Sequence, residues 1–423
     1  MGTSKISGDG LPEGPAGDTH GLRELSIDAP WAGRAVTFGL VATVLLVTGF
    51  AIAYHPYDFG VYRWGGQVVT HGTMLYQGRA NAQLFTYPPF AALAFTLVAT
   101  APAVVDRLVF ELFSLLALAA AAHVTLKLAG YRASWQVVGA VVVIGMTLEP
   151  VYHTFFLGQI NLILLALTLV DMWRAAQGRP AGVLLGIAAA IKLTPLIFLA
   201  MLALAGRSRA ALTAAVTFVS CGLLAYLVAP GDSKLYWQQH LFTETSRMRA
   251  AYISDQSPYA AILRIGGGTA HPGYWLLALS LGFGIAGLVI AAILARQDDW
   301  LGATTVTGTT GLLVSPISWT HHWVWVLPAL VVLLQGRRNS RIAAACGYVL
   351  FVVAPMWFTP WQYGTAQYGF HWLVTLIANC FLVAGVVFVC YMGWRAYSIT
   401  RGDVAPQLRL SLAGRGTRPF ADR

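Results

Sequence analysis

The chain has 423 residues, 57% of them hydrophobic and only 10% charged, whereas a soluble domain is roughly a quarter charged. That balance excludes a soluble globular fold, and the apolar stretches recurring from about residue 34 to residue 393 read as an all-α polytopic membrane protein; the alternating ten-residue segments of a membrane β-barrel are absent. The net charge of +10 sits in short clusters between apolar stretches and in the C-terminal tail, the distribution of topology signals and lipid-headgroup contacts and not of a nucleic-acid-binding surface.

Residues 1–33, rich in Gly, Asp, Pro and Ser, lack the ordered parts of a signal peptide and are expected to form a disordered cytoplasmic tail. The transmembrane domain is expected over 34–394. Its predicted spans are 34–54, 106–127, 134–150, 159–173, 181–192, 195–205, 210–229, 273–295, 300–316, 322–335, 342–358 and 372–393, about 12 in all. The apolar run Phe90 to Pro102 begins at a Pro-Pro pair and is short for a crossing, so it reads as re-entrant or interfacial. Residues 395–423 carry six arginines and read as a basic cytoplasmic tail. Cys221, Cys346, Cys380 and Cys390 lie in apolar stretches without CxxC spacing, so neither a zinc site nor a disulfide framework is implied.

Arg174 and Arg179 precede the segment Gly182 to Ala205, and Arg207 and Arg209 follow it. Two short helices turning at Lys192-Leu193-Thr194-Pro195 keep both pairs on one side and lift Lys192 towards the other, with Pro195 in the first turn of the second helix. About 19 of the 27 Lys and Arg residues then fall on the cytoplasmic side, Arg107 being ambiguous, and both termini come out cytoplasmic. The longest outer loops are 55–89 and 230–272. The polar clusters lie in or beside the outer loops.

Asp58, in Tyr57-Asp58-Phe59-Gly60-Val61-Tyr62, is a candidate general base, because partial burial raises a carboxylate's pKa and a nearby cation lowers it; a helix N-cap would read the same. Glu149 and His153 flank Pro150 and are followed by Gly158-Gln159-Ile160-Asn161, suited to sugar hydroxyls or to capping and helix packing. Lys192 in an apolar stretch calls for a partner such as phosphate, or for snorkelling to the headgroups. Asp255-Gln256-Ser257 and Arg264 share the second large loop, where an arginine binds phosphate through paired donors or simply faces water. His321 and His322 point roughly 100° apart on a helix, so they are not expected to chelate one metal together. No P-loop, dinucleotide-binding glycine motif or HExxH is present.

Taken in order, Asp58 with Val61-Tyr62, Phe85-Thr86-Tyr87-Pro88-Pro89-Phe90, Gly158 to Asn161, Lys192 to Pro195, Asp255 to Arg264 and Ser315 to Trp323 resemble the GT-C polyprenol-phosphate-sugar-dependent glycosyltransferases of actinobacterial envelopes. Within them the pattern is most similar to the α-1,2-mannosyltransferases of phosphatidylinositol mannoside synthesis. The resemblance spans about three quarters of the chain. It implies a GT-C fold in the plasma membrane, an active site at the outer face, a polyprenyl-phosphate mannose donor and a phosphatidylinositol mannoside acceptor. The acidic residue after the first span is the implied base, a role that falls on Asp58. Lys192 and Arg264 are then expected to stabilise the leaving phosphate, His322 to orient acceptor or phosphate, and His321, Tyr62, Glu149, His153, Gln159, Asn161 and Gln256 to contact substrate. No cofactor or divalent metal is required. One departure is Asp255 and Ala261, where such proteins often have Asn and Gly. Arabinofuranosyl or lipomannan mannosyl transfer is the neighbouring reading, and a lipid or solute transporter the alternative from another class.

Overall fold

The computed structural model describes residues 23–27, 29–54, 57–78, 83–241, 250–268, 273–360 and 368–401, the side chain of Tyr57 excepted. Helices form at all twelve expected stretches, but their lengths do not give twelve full crossings. Five are long and apolar enough to span a bilayer: α1 (Ala32–Ala53), α4 (Ala103–Leu128), α10 (Ser208–Val228), α13 (Gly273–Arg296) and α18 (Cys380–Arg401). Rows of exposed apolar side chains on α1, α10 and α13, such as Phe38, Leu45, Leu212, Val219, Leu281 and Ile285, would be a liability in water and suit lipid.

The other elements are shorter because proline and polar residues break them. Between α5 (Trp135–Met146) and α6 (Glu149–Leu157) the axis bends by 77°, where Leu148 is extended and Pro150 opens the new helix. After α7 (Asn161–Ala176), α8 (Val183–Ile191) ends at Lys192, whose backbone is extended, and a 3₁₀ turn Thr194–Leu196 containing Pro195 leads into α9 (Ile197–Leu204). The expected pair of short helices therefore forms. At its start, the Asp171 carboxylate accepts the amides of Gly182 and Leu185 at 2.9 and 2.8 Å, a cap of the kind that contributes about 1 kcal/mol.

Other elements depart from the expectation or fill it in. The loop expected over 55–89 contains a fifteen-residue helix, α2 (Tyr57–His71), with Asp58 in its first turn. Its buried face, Phe59, Val61, Tyr62 and Val68, forms a small second core with Phe85, Phe95, Phe110, Ile160 and Leu164. Gly65 and Gly66 allow that closeness: a Cβ on Gly65 would lie 2.4 Å from the Phe85 ring, and one on Gly66 would lie 2.6 Å from the Phe95 carbonyl. The run after the Pro-Pro pair is α3 (Pro89–Phe95) with a 3₁₀ turn Thr96–Val98, packed against α2, α8 and α10. Within the tail expected to be disordered, β1 (Arg23–Leu25) pairs in parallel with β2 (Tyr131–Ala133). At the other end α18 continues to Arg401, beyond the expected boundary at 394; the rest of both tails lies outside the described residues.

The larger core runs along α4, α6, α7, α14 (Trp300–Val314), α15 (Val326–Leu334) and α18. All of α14 is buried except Val314, so it is wrapped in protein, as a fifteen-residue helix in a membrane must be. Remaining elements are α11 (Pro230–Leu235), α12 (Pro258–Ile265), α16 (Arg338–Val353) and α17 (Trp372–Ala378).

Candidate active site

At the N-terminal end of α2 the Asp58 carboxylate accepts a hydrogen bond from Gln159 Nε2 at 2.9 Å. Gln159 is turned towards it by Gly158, which ends α6 in the left-handed conformation. The Gln159 carbonyl accepts from the Tyr62 hydroxyl at 2.5 Å, and that hydroxyl is 3.0 Å from the Tyr87 hydroxyl. Burial raises the pKa of Asp58 above the usual carboxylate value, opposed by the Gln159 hydrogen bond and by the charges of His153, Lys192 and Arg107. Such a carboxylate is a stronger proton acceptor than an exposed one. Burial likewise raises the Tyr87 phenol above its usual value, so Tyr87 is a neutral donor.

Tyr87 also links Asp58 to the second polar group. Lys192 Nζ lies 5.9 Å from its ring centroid, donates to Asn161 Oδ1 at 3.1 Å and is 2.9 Å from His322 Nε2. With the ammonium donating, His322 Nε2 accepts and the ring proton is assigned to Nδ1. The Asn161 amide donates in turn to the His321 carbonyl at 2.9 Å. A cavity of about 50 Å³ adjoins Asn161, Lys192 and His322, with Thr168, Ser318 and Trp325 among its walls, leaving room for a few water molecules.

A third group lies beside these two. Glu149 Oε1 is 2.8 Å from His153 Nδ1 and accepts from Trp357 Nε1 at 3.0 Å, while the Thr320 hydroxyl is 3.1 Å from the same histidine nitrogen. His321 stands edge-on between His153 and His322, with ring centroids 5.6 and 4.8 Å away. Buried as it is, His321 has no partner for either ring nitrogen, nor has Glu149 Oε2, among the described residues. Unmade hydrogen bonds on buried groups are costly. These atoms are ready for hydroxyls or phosphate oxygens.

Nine of the eleven expected residues thus come together: Asp58, Tyr62, Glu149, His153, Gln159, Asn161, Lys192, His321 and His322. Gln256 and Arg264 do not join them. The Gln256 amide donates to the carbonyls of Ile253 and Ala378 and accepts from the Phe381 amide. Arg264, 1% exposed, donates to the carbonyls of Tyr252 and Asp255 and to the Asn379 side chain. The guanidinium expected at a phosphate is therefore committed to holding its own loop. Around it, Asp255 Oδ1 accepts the amides of Ser257 and Ser318, and the backbone of Ser254 and Gln256 pairs with that of Thr320 and Ser318. This motif fastens the stretch that carries His321 and His322.

Sequence reading missed Tyr87, Thr320 and Trp357 as members of the site. Tyr87 and Thr320 stood within quoted motifs and could have been proposed; Trp357 sits among apolar residues and carries no local signal.

Residues 85–316 match the model of glycosyltransferase family 87. The chain is 32% identical over 346 residues to the polyprenol-phosphate-mannose-dependent α-(1-2)-phosphatidylinositol mannoside mannosyltransferase of Mycobacterium tuberculosis H37Rv, covering 77% of this chain and 81% of that one. It is 34% identical to the protein of the same description from Mycolicibacterium smegmatis, over 78% of this chain and 82% of that one. A solved structure of ArnT from Cupriavidus metallidurans bound to undecaprenyl phosphate is similar at a TM-score of 0.36 and 15% identity, over 92% of this chain and 82% of that one.

Proposed function

The chain belongs to glycosyltransferase family 87, and on that premise we propose that it is an inverting α-1,2-mannosyltransferase moving mannose from polyprenyl-phosphate mannose to a phosphatidylinositol mannoside. The single observation that carries this reading is the pairing of a buried, Gln159-held carboxylate with a Lys192–His322 cation site on the far side of Tyr87. Asp58 takes the proton of an acceptor hydroxyl, and the oxygen attacks the anomeric carbon from the face opposite a β-linked phosphate, giving an α product. One base suffices, because the phosphate leaves without being protonated. Lys192, steadied by Asn161 and His322, meets the charge that grows on the leaving phosphate. Glu149 and His321 offer their spare atoms to sugar hydroxyls, with His153 beside them.

On this reading the layout is that of a GT-C enzyme of the plasma membrane, with both termini cytoplasmic and the site at the outer face. No divalent metal is needed, since Lys192 supplies the positive charge. The arginine distribution and the lipid-suited faces of α1, α10 and α13 support it.

The test is to supply radiolabelled polyprenyl-phosphate mannose with defined phosphatidylinositol mannosides to purified protein in lipid. Elongation by one mannose through a 1,2-linkage is expected, and Lys192→Met is expected to slow it by about 100-fold. Transfer of arabinofuranose instead, or folded protein that moves lipid without forming a glycosidic bond, overturns the reading.

A further inference from the structure

Beneath α2 an arginine and a glutamate are buried against each other, and the reaction above leaves both unused. Arg107 and Glu111 lie near the start of α4, each 2% exposed, with Arg107 Nη2 2.6 Å from Glu111 Oε1. Apolar residues of similar volume often serve stability as well as a buried ion pair does, and ionisable groups within membrane helices mark functional positions by default.

The guanidinium touches the chain beside each partner of the Asp58–Gln159 hydrogen bond. Nη2 donates to the Phe155 carbonyl at 2.5 Å and reaches the Phe156 carbonyl at 3.4 Å, both in the last turn of α6, and the Phe155 carbonyl also accepts the Gly158 amide at 3.2 Å. The guanidinium carbon lies 5.2 Å from the centroid of Phe59, the residue after Asp58. Between these contacts runs Gly158, at φ +69°, the residue before Gln159; a Cβ there would fall 1.5 Å from Arg107 Nη1 and 2.8 Å from the Phe59 Cβ. Neither Arg107 Nε nor Nη1 has a hydrogen-bond partner among the described residues. The group is held in place by the Phe155 and Phe156 carbonyls, Glu111 and packing.

We propose that Arg107, charge-balanced by Glu111, is a positioning residue that clamps the end of α6 onto α2 and so sets the geometry of the Asp58–Gln159 pair. This rests on Asp58 being the base. The clamp acts through Gln159 and Phe59, without contact to substrate. Its charge also reaches Asp58, alongside His153 from α6 and Lys192 from the turn after α8, with Gln159, Tyr62 and Tyr87 as the neutral neighbours; Glu111 opposes it.

The experiment compares wild type, Arg107→Met/Glu111→Met, Arg107→Lys and Asp58→Asn in lipid nanodiscs, measuring thermal midpoint, kcat, KM for each substrate, and the acid limb of kcat/KM. The double replacement removes both charges at once and leaves no buried charge unpaired. It is expected to melt within a few degrees of wild type and to lose about 10- to 100-fold in kcat, the range a misplacement of about 1 Å can cost, with each KM within about threefold. Its acid limb is expected to move to higher pH, because a cation near Asp58 has gone. Arg107→Lys keeps the charge without the two-sided contact, so it should hold the acid limb and recover only part of kcat. If Asp58→Asn still turns over, the base assignment fails. If Asp58→Asn is inactive but the double variant keeps wild-type kcat per folded molecule, or loses only KM, Arg107 is not a positioning residue and the proposal alone falls.

Discussion

Around Asp58 the buried polar atoms keep valences to spare, whereas around Arg264 they are nearly used up. His321 has two free ring nitrogens and Glu149 a free oxygen among the described residues, while Gln256 satisfies both ends of its amide and Arg264 bonds two carbonyls of its own loop and the distant Asn379 side chain, leaving Arg264 Nε and Asp255 Oδ2 unpaired. Both neighbourhoods combine an acid, an amide and a cation, and both fall within the matched motifs. Spare valence separates a site that receives a ligand from a joint that holds the site together. A joint should fail in stability when broken, and a site in turnover.

Replacing Asp58 by Asn keeps size and hydrogen bonding and removes the base, so kcat is expected to fall by about 10²–10⁴ with an unchanged melting temperature. A loss of folding in step with activity would put Asp58 among the structural residues. Arg264→Met should behave in the opposite sense. It strips a buried loop of its cation, costing about 3–5 kcal/mol, read as lost folded yield and a lowered melting temperature, with kcat per folded molecule near wild type. An intact protein with lost turnover would return Arg264 to the phosphate.

A smaller effect sharpens the same contrast through pH. Burial holds the pKa of Asp58 above the ordinary carboxylate value, so its basic form, and with it kcat/KM, is lost as pH falls through that raised value. Gln159→Met removes a donor that favours the ionised form, and the acid limb should then move higher still. A limb that stays where it was would mean that another group controls it.

The smallest effect is in the joint. Burial pushes Asp255 from 3.8 up to about 7. The fold therefore keeps a proton that the unfolded chain gives up near pH 4, and wild-type stability declines as pH rises from there to about 7. Asp255→Asn can still accept the Ser257 and Ser318 amides and has no such decline. Its melting temperature should gain on wild type by about 2–4 °C between pH 5 and pH 8, and a gap independent of pH would show that Asp255 is ionised in the fold.

The helical membrane class, the breaks at Pro150 and Pro195 and many of the polar residues gathered in the candidate site were legible in the sequence, because hydropathy, proline and misplaced charge are local properties. Helix α2 was not: its fifteen residues alternate aromatic, glycine and polar positions, and only the small core with Phe85, Phe95 and Phe110 makes them a helix. Nor was the difference in surroundings between Lys192 and Arg264, the two cations expected at the phosphate. The sequence by itself determined that a carboxylate, a lysine and two histidines would meet an apolar bundle near one face. Tertiary structure alone decided which of them keep free donors and acceptors, because satisfaction of a buried polar atom depends on neighbours more than a hundred residues away, as Gln159 is from Asp58 and Asn379 from Arg264.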